Sequence, residues 1–359
     1  MISHYTAIVI ISTFSLFTMI VCSESNHFTP TLNKRGFQLL FLAIIVANWA
    51  EWLAELLNGA PPRWIELHKF AKFTELSITP VVPILGMMTY NTGTAKKYAV
   101  ILPLFNFIMQ LSSLSLGGVF TIDSSNIYSR GVLYPAYVAT FIIGTLILFA
   151  DCLKSCKRYQ YQNMVVLVLI LLQTAFSMSI QCISPHLHLD WSFISITAII
   201  FYVFTNQLEH QLDNTTLLLN RKSFDNAIEK LHKNAAVIFF DIDYFKNVND
   251  KYGHRFGDEC LVEISRIFKK VFDGRGHCYR YGGDEFCVIL KKNPNHADAL
   301  IKECLDRIEN LREKNSKMPM VSIGYAYFDP NKEKIYDTLK RADNMMYEYK
   351  SRHHKTYKY

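Results

Sequence analysis

The sequence predicts a chain in two unlike parts: a multi-pass α-helical membrane domain over residues 1–207, then an α/β domain over 208–359. Three observations carry this. Of 38 Lys+Arg and 31 Asp+Glu, only 11 and 8 lie in residues 1–207, so 19 of 207 residues are charged there against 50 of 152 in the remainder. The first part is filled by long apolar segments of membrane-crossing length. After residue 213 the apolar period alternates between helix-like and strand-like. The net charge of +7 divides into 11 − 8 = +3 and 27 − 23 = +4, with both signs interspersed in the second part, so no nucleic-acid partner is expected. The eight Cys are scattered without a CxxC or a His/Cys ligand spacing, which excludes a disulfide scaffold and a zinc site.

Seven spans are expected, at Tyr5–Cys22, Phe37–Leu57, Phe73–Tyr90, Tyr98–Ile122, Val132–Ala150, Asn163–Ile183 and Trp191–Leu208. The first lacks a basic lead-in and a cleavage site and reads as an uncleaved span. Connections after spans one, three and five hold seven Lys/Arg, including Lys34 and Lys154, against four after spans two, four and six. The more basic set faces the cytoplasm, which puts the N-terminus outside and the C-terminal domain inside. Glu51, Glu55 and Glu75 fall within spans, and Glu51 and Glu55 share a helix face. They read either as a ligand or proton site or as interfacial carboxylates partnered by Lys69 and Lys72. Pro80 and Pro83 predict a kink in span three.

In the second part, Ser223–Lys233 reads as a helix capped by Ser223. Ala235–Asp241 is a strand, Asp258–Phe272 an amphipathic helix, and His277–Tyr281 with Glu285–Leu290 a hairpin around Gly282-Gly283-Asp284. Ala297–Leu311 is a helix, Met320–Tyr327 a strand and Lys334–Tyr349 a final helix, which suggests a sheet flanked by helices.

Two carboxylate features carry chemistry. Asp241-Ile-Asp243 ends an apolar strand, where an acid projects into the crevice that ligands use. Gly282-Gly283-Asp284-Glu285-Phe286 places two glycines, which let a phosphate approach the backbone, ahead of two acids able to hold a hard cation.

From Asp213 to Tyr359 the chain resembles the GGDEF family of diguanylate cyclases. Asn220-Arg221-Lys222 with Phe224 looks like the family's NRRxF, and Asp241 to Leu261 is similar to DxDxFKxxNDxxGHxxGDxxL. Arg280-Tyr281 precede the GGDEF run as in RYGGDEF, Val321-Ser322-Ile323-Gly324 looks like the late strand, and Ala342 to Lys350 resembles the closing helix.

The resemblance implies a palm-like, nucleotide-cyclase-type fold with an antiparallel-containing sheet. It implies a homodimer that condenses two GTP into cyclic di-GMP with release of two pyrophosphates, with Mg²⁺ (or Mn²⁺ in its place). It implies metal ligation by Asp241, the Ile242 carbonyl, Asp284 and Glu285, with Asp284 and Glu285 catalytic. Asn249 and Asp258 are implied as guanine readers, with His254 beside the nucleotide and Gly282 and Gly283 along it. Phe245 and Lys246 are implied to flank the pocket, and Lys246 and Lys350 to meet the phosphates. The implied location is the bacterial inner (cytoplasmic) membrane, with a signal ligand of unknown kind at the seven-helix domain.

Two departures follow. His353 and His354 stand where the family has Gly and Arg, which points to weaker or shifted phosphate binding. Asp273-Gly274-Arg275-Gly276 replaces the RxxD of product inhibition, so no feedback binding of cyclic di-GMP is expected there; tight inhibition abolished by Arg275→Ala would overturn this. The alternative to an enzyme is a weak or inactive domain that serves as a nucleotide-binding or interaction module.

Overall fold

The computed structural model describes residues 2–25, 34–89, 100–158, 164–183 and 190–356. The chain divides into two compact units, Met1–Glu209 and His210–Tyr359.

The first unit is helical. Its helices are α1 (Ile2–Ser25), α2 (Lys34–Leu57), α3 (Ile65–Ile78), α4 (Val81–Met88), α5 (Ile101–Leu116), α6 (Tyr134–Arg158), α7 (Met164–Ile183) and α8 (Asp190–Glu209). Among the described residues four helices are long and apolar enough to cross a membrane, at His4–Glu24, Lys34–Leu57, Tyr134–Lys154 and Asp190–Glu209. Of the other three expected spans, the third and fourth differ. Span three begins earlier, at Ile65, and is two helices rather than one kinked one, because Pro80 and Pro83 cannot donate to the ladder. Span four stops at Leu116, where Gly117 takes a left-handed conformation (φ 65°). The apolar residues that extended it in sequence form a hairpin, β1 (Phe120–Ile122) with β2 (Tyr128–Arg130). Span six is helix α7, Met164–Ile183, with an apolar stretch described over Met164–Ser177. Lys96 and Lys97, used for the orientation, lie outside the described residues.

Helix α2 is the hub, packed against α1, α3, α4 and α8. Small residues let the backbones close up: a Cβ on Gly144 would lie 2.9 Å from Pro83, and one on Gly86 3.0 Å from Leu148. The hairpin is riveted to the α2–α3 connection by Asn126 (φ 62°). Its amide donates to the Leu57 and Ala60 carbonyls at 2.8 and 3.1 Å, and its Oδ1 lies 2.9 Å from His68 Nδ1. The in-span acids are partnered: Tyr5 donates to Glu51 at 2.5 Å, and the buried Lys72 donates to Glu75 at 2.8 Å.

The second unit runs α9 (Arg221–Glu229), β3 (Ala235–Ile242), α10 (Phe245–Tyr252), α11 (His254–Phe272), β4 (Gly276–Arg280), β5 (Glu285–Leu290), α12 (Ala297–Lys314), β6 (Val321–Phe328) and α13 (Ile335–Thr356). The sheet order is β4-β5-β3-β6 and every pair is antiparallel. An antiparallel sheet flanked by helices is what the sequence predicts for this part. Strand β3 is central and all eight of its residues are buried, so it reads as an unbroken apolar run until its acids. Ala236, Ile238, Phe240 and Ile242 face the main core with α11 and α12. The opposite face meets α9, through Phe224 on Phe239 and Tyr279, and α13. At the α13 crossing Gly324 of β6 is indispensable: a Cβ there would lie 2.1 Å from Met346 N and 2.2 Å from Ala342 O.

Two local expectations are corrected. The cap of α9 is Asn220, which accepts from the Ser223 amide at 3.0 Å; Ser223 itself is buried inside the helix, with its hydroxyl on Gln211 O. Helix α10 has no counterpart among the expected elements, and α11 begins at His254 rather than Asp258.

Candidate active site

The site forms where β3 and β5 run side by side and their acids fall into register. Asp241 is paired with Glu285 across the ladder, and the Ile242 amide donates to the Asp284 carbonyl at 3.1 Å. Three carboxylates therefore converge from chain segments more than forty residues apart. The turn between β4 and β5 is closed by the Tyr281 and Gly282 amides, both donating to Glu285 O. A Cβ at 282 would lie 2.7 Å from Glu285 Oε2, so a larger residue there would displace that carboxylate. Gly283 is exposed with open space around it.

The electrostatics show a site short of positive charge. Burial, then the Asp241 charge, pushes the Asp284 carboxyl above its ordinary value. Burial, then Asp241, Asp284 and Asp343, does the same to Glu285. Lys350 on α13 supplies one cation, donating to Asp241 Oδ1 at 2.6 Å. Burial works against the charged ammonium, but the hydrogen bond and charge of Asp241 raise Lys350 overall. Among the described residues no three ligating groups already surround one point as a metal cage. The donor chemistry nevertheless suits a hard divalent cation, since all the donors are oxygens and the carboxylates repel one another.

A second group lies at the α10–α11 junction. Gly253 (φ 85°) opens the turn, and its amide donates to Asn249 O at 2.8 Å. Asn249 Oδ1 is buried without a hydrogen-bond partner among the described residues, so its acceptor capacity is not used within the domain. It presses on α11 so closely that a Cβ on Gly257 would lie 1.9 Å away. Asp258 follows Gly257 and is exposed, as are His254 and Lys246. Of the residues singled out in sequence, Asp241, Ile242, Asp284, Glu285, Gly282 and Lys350 gather at the strand ends. Asn249, His254 and Asp258 gather at the helix junction. Helix α13 continues through His353 and His354 to Thr356.

Sequence reasoning gave Arg280 no role beyond the motif, although it organises the hairpin. Its guanidinium donates to Gly283 O at 2.7 and 3.1 Å and to Asp213 at 3.0 and 3.2 Å. Its place directly before Tyr281-Gly282-Gly283 was the available signal. Burial raises the Asp213 carboxyl, but the Thr216 hydrogen bonds and the Arg280 charge outweigh it and hold the group below its ordinary value. A depressed carboxyl contributes stability above its unfolded pKa of about 3.8 and loses it as pH falls further through the folded value. Asp213→Asn is expected to cost about 1 kcal/mol and to raise hydrogen exchange of the 211–220 segment at pH 7. At a pH low enough to protonate the wild-type carboxyl, the two proteins should exchange alike.

Gly276, which stands where product inhibition needs an acid, has a backbone reason to be glycine. A Cβ there would lie 2.7 Å from Ile289 O on the paired strand.

Residues 210–356 match the family described as "Diguanylate cyclase, GGDEF domain". Diguanylate cyclase A of Treponema denticola is 32% identical over 142 residues, 38% of this chain and 38% of that protein. YhcK of Bacillus subtilis is 25% identical over 307 residues, 74% of this chain and 84% of that protein. The crystal structure of the GGDEF domain of DgcB from Caulobacter crescentus in complex with c-di-GMP is 26% identical, covers 38% of this chain and 88% of that one, and gives a TM-score of 0.35. The chain spans less than two-fifths of the length of the curated diguanylate cyclases it matches, from 18% to 38%.

Proposed function

Proceeding from the GGDEF domain that residues 210–356 form, we propose that the protein is a membrane-bound diguanylate cyclase that condenses two GTP into cyclic di-GMP and two pyrophosphates. The observation that carries this reading is the convergence of Asp241, Asp284 and Glu285 at adjacent strand ends, short of positive charge, beside Lys350.

In each half-reaction the 3′-hydroxyl oxygen of one nucleotide bonds to the α-phosphorus of the other. The bond from that phosphorus to the bridging oxygen breaks, and pyrophosphate leaves. Glu285 takes the hydroxyl proton. Asp241, the Ile242 carbonyl, Asp284 and Glu285 hold a divalent cation, proposed as Mg²⁺, which when bound supplies charge against the developing negative charge on the phosphates. Lys350 releases Asp241 and turns to the phosphates, and Lys246 reaches them from α10. Gly282 and Gly283 leave room along the nucleotide. Asn249 and Asp258 read guanine, with His254 beside it. Because one domain holds one nucleotide, the active form is a homodimer. The membrane half crosses the inner membrane seven times and transmits a signal, with the N-terminus outside and the cyclase domain cytoplasmic.

The deciding experiment gives the full-length protein GTP and Mg²⁺ and measures cyclic di-GMP. Absence of product even when the protein is dimerised by a fused leucine zipper would sink the reading and leave a nucleotide-binding module. A finer test targets guanine recognition. Gly257→Ala puts a Cβ 1.9 Å from Asn249 Oδ1 and 3.3 Å from Phe245, so the Asn249 side chain must move and KM for GTP should rise about tenfold, the value of one lost buried hydrogen bond, while kcat falls less. An unchanged KM would remove Asn249 from the recognition site.

A further inference from the structure

Asp243, the second acid of the Asp241-Ile-Asp243 run, is buried, and its carboxylate accepts from the Ser322 hydroxyl at 2.6 Å. Ser322 is itself fully enclosed on β6. The Asp243 amide donates to Met320 O at 2.9 Å. Strands β3 and β6 are in register with Asp241 opposite Ser322 and Ile242 opposite Val321. The two Asp243 bonds therefore carry the attachment to β6 one residue past the end of β3. A buried carboxylate is costly unless its oxygens are hydrogen-bonded, so the Ser322 hydroxyl matters more here than a surface serine would.

Only Tyr244 separates Asp243 from α10. Its backbone is left-handed (φ 53°, ψ 30°), a conformation that a bulky side chain keeps only where its neighbours dictate it. Its carbonyl accepts the first bond of the helix, from the Val248 amide at 3.1 Å. The direction in which α10 departs is thus set at Asp243 and Tyr244. The helix has few other anchors. Of its eight residues only Val248 is fully buried, with Phe245 and Tyr252 packed partly against the core. At the far end the Gly253 turn (φ 85°) leads into α11. Asn249 stands on this short polar segment, with Oδ1 buried and unpartnered among the described residues. A small rotation of α10 moves that oxygen, whereas Asp241 and Glu285 are held by the sheet ladder.

An amide oxygen can only accept a hydrogen bond. Guanine offers a donor in its exocyclic 2-amine, which hypoxanthine lacks. We propose that Asp243 and Ser322 determine base specificity: by clamping the β3–α10 turn they place Asn249 Oδ1 to accept from the 2-amine, so the choice of guanine over hypoxanthine is set from β6. Both are positioning residues that act through Asn249. The inference rests on the guanine-reading role proposed for Asn249 and goes beyond it in naming what holds the reader in place.

The test gives full-length protein, with Mg²⁺, the α,β-methylene analogues of GTP and ITP, which cannot release pyrophosphate, and compares their Kd values by equilibrium binding. Wild type should prefer the guanine analogue. Ser322→Ala should lower that preference about fivefold, the worth of one lost hydrogen bond, with affinity for the inosine analogue nearly unchanged. Asp243→Ala should do the same, while Asp243→Asn, which keeps an acceptor for the Ser322 hydroxyl, should retain more of the preference. Should Ser322→Ala misfold by underpairing the buried Asp243 charge, the double variant Asp243→Asn with Ser322→Ala removes the bond without stranding a charge and decides. A preference unchanged in the variant that folds, or equal loss of affinity for both analogues, would overturn the proposal and leave the cyclase reading standing. A wild type that binds both analogues alike, or neither, would overturn the guanine-binding reading and this proposal with it. Turnover is not measured, so a catalytically inactive domain leaves the proposal standing.

Discussion

Replacing Glu285 with Gln is expected to lower the rate of cyclic di-GMP formation by about 10²–10⁴-fold, the usual worth of a positioned general base, while the folded state is kept. The glutamine side chain fills the same space and removes only the negative charge. Glu285 is half-buried at the first residue of β5, and its backbone, not its side chain, holds the turn through Tyr281 and Gly282. Removing one of three mutually repelling carboxylates relieves the crowding that raises Asp284 and Glu285, so stability should be unchanged or slightly higher. The checks are initial rates with GTP and Mg²⁺ and hydrogen exchange of β3 and β5. A variant as active as wild type would remove Glu285 from the chemistry. A loss of activity accompanied by loss of strand protection would instead make its role structural.

The largest structural effect is expected from Gly324→Leu. A Cβ at this position lands 2.1 and 2.2 Å from backbone atoms of Met346 and Ala342, and backbone cannot rotate out of the way as a side chain can. Helix α13 must lift from β6, at a cost of about 3 kcal/mol or more. The amides of α13 and β6 should lose exchange protection first. Lys350 lies one turn beyond Met346, so its 2.6 Å contact with Asp241 should break and cyclase activity fall with it. Met346→Ala, which trims the same interface without a backbone clash, should cost less than the glycine substitution. A Gly324→Leu protein with native exchange would contradict the close packing.

What was legible in sequence depended on whether the signal was local. Strands β3 and β5 were readable because the runs Ala235–Asp241 and Glu285–Leu290 are apolar and bounded by acids or glycines. Helix α10 was not, because Phe245–Tyr252 is polar, buries only Val248 and starts from Tyr244 in a left-handed conformation (φ 53°). Hydropathy could not separate the Phe120–Ile122 strand from the apolar helix before it, since both are apolar and only the Gly117 reversal divides them. At the site the motif residues gave the chemistry. The Lys350–Asp241 pair spans 109 positions and the Asp213–Arg280 pair spans 67, and no pattern along the chain announces such partners. The buried, unpartnered Asn249 Oδ1 is likewise a property of packing, invisible until α10 and α11 are placed.

Asn126 bears on how the membrane reading is to be tried. A polar loop between two apolar helices is the ordinary place to splice in a topology reporter, on the assumption that such loops tolerate insertion. The loop at 123–127 is a poor choice. Its asparagine holds the Leu57 and Ala60 carbonyls and His68 together, so a fusion there would unpin the α2–α3 connection and report on a damaged helical unit.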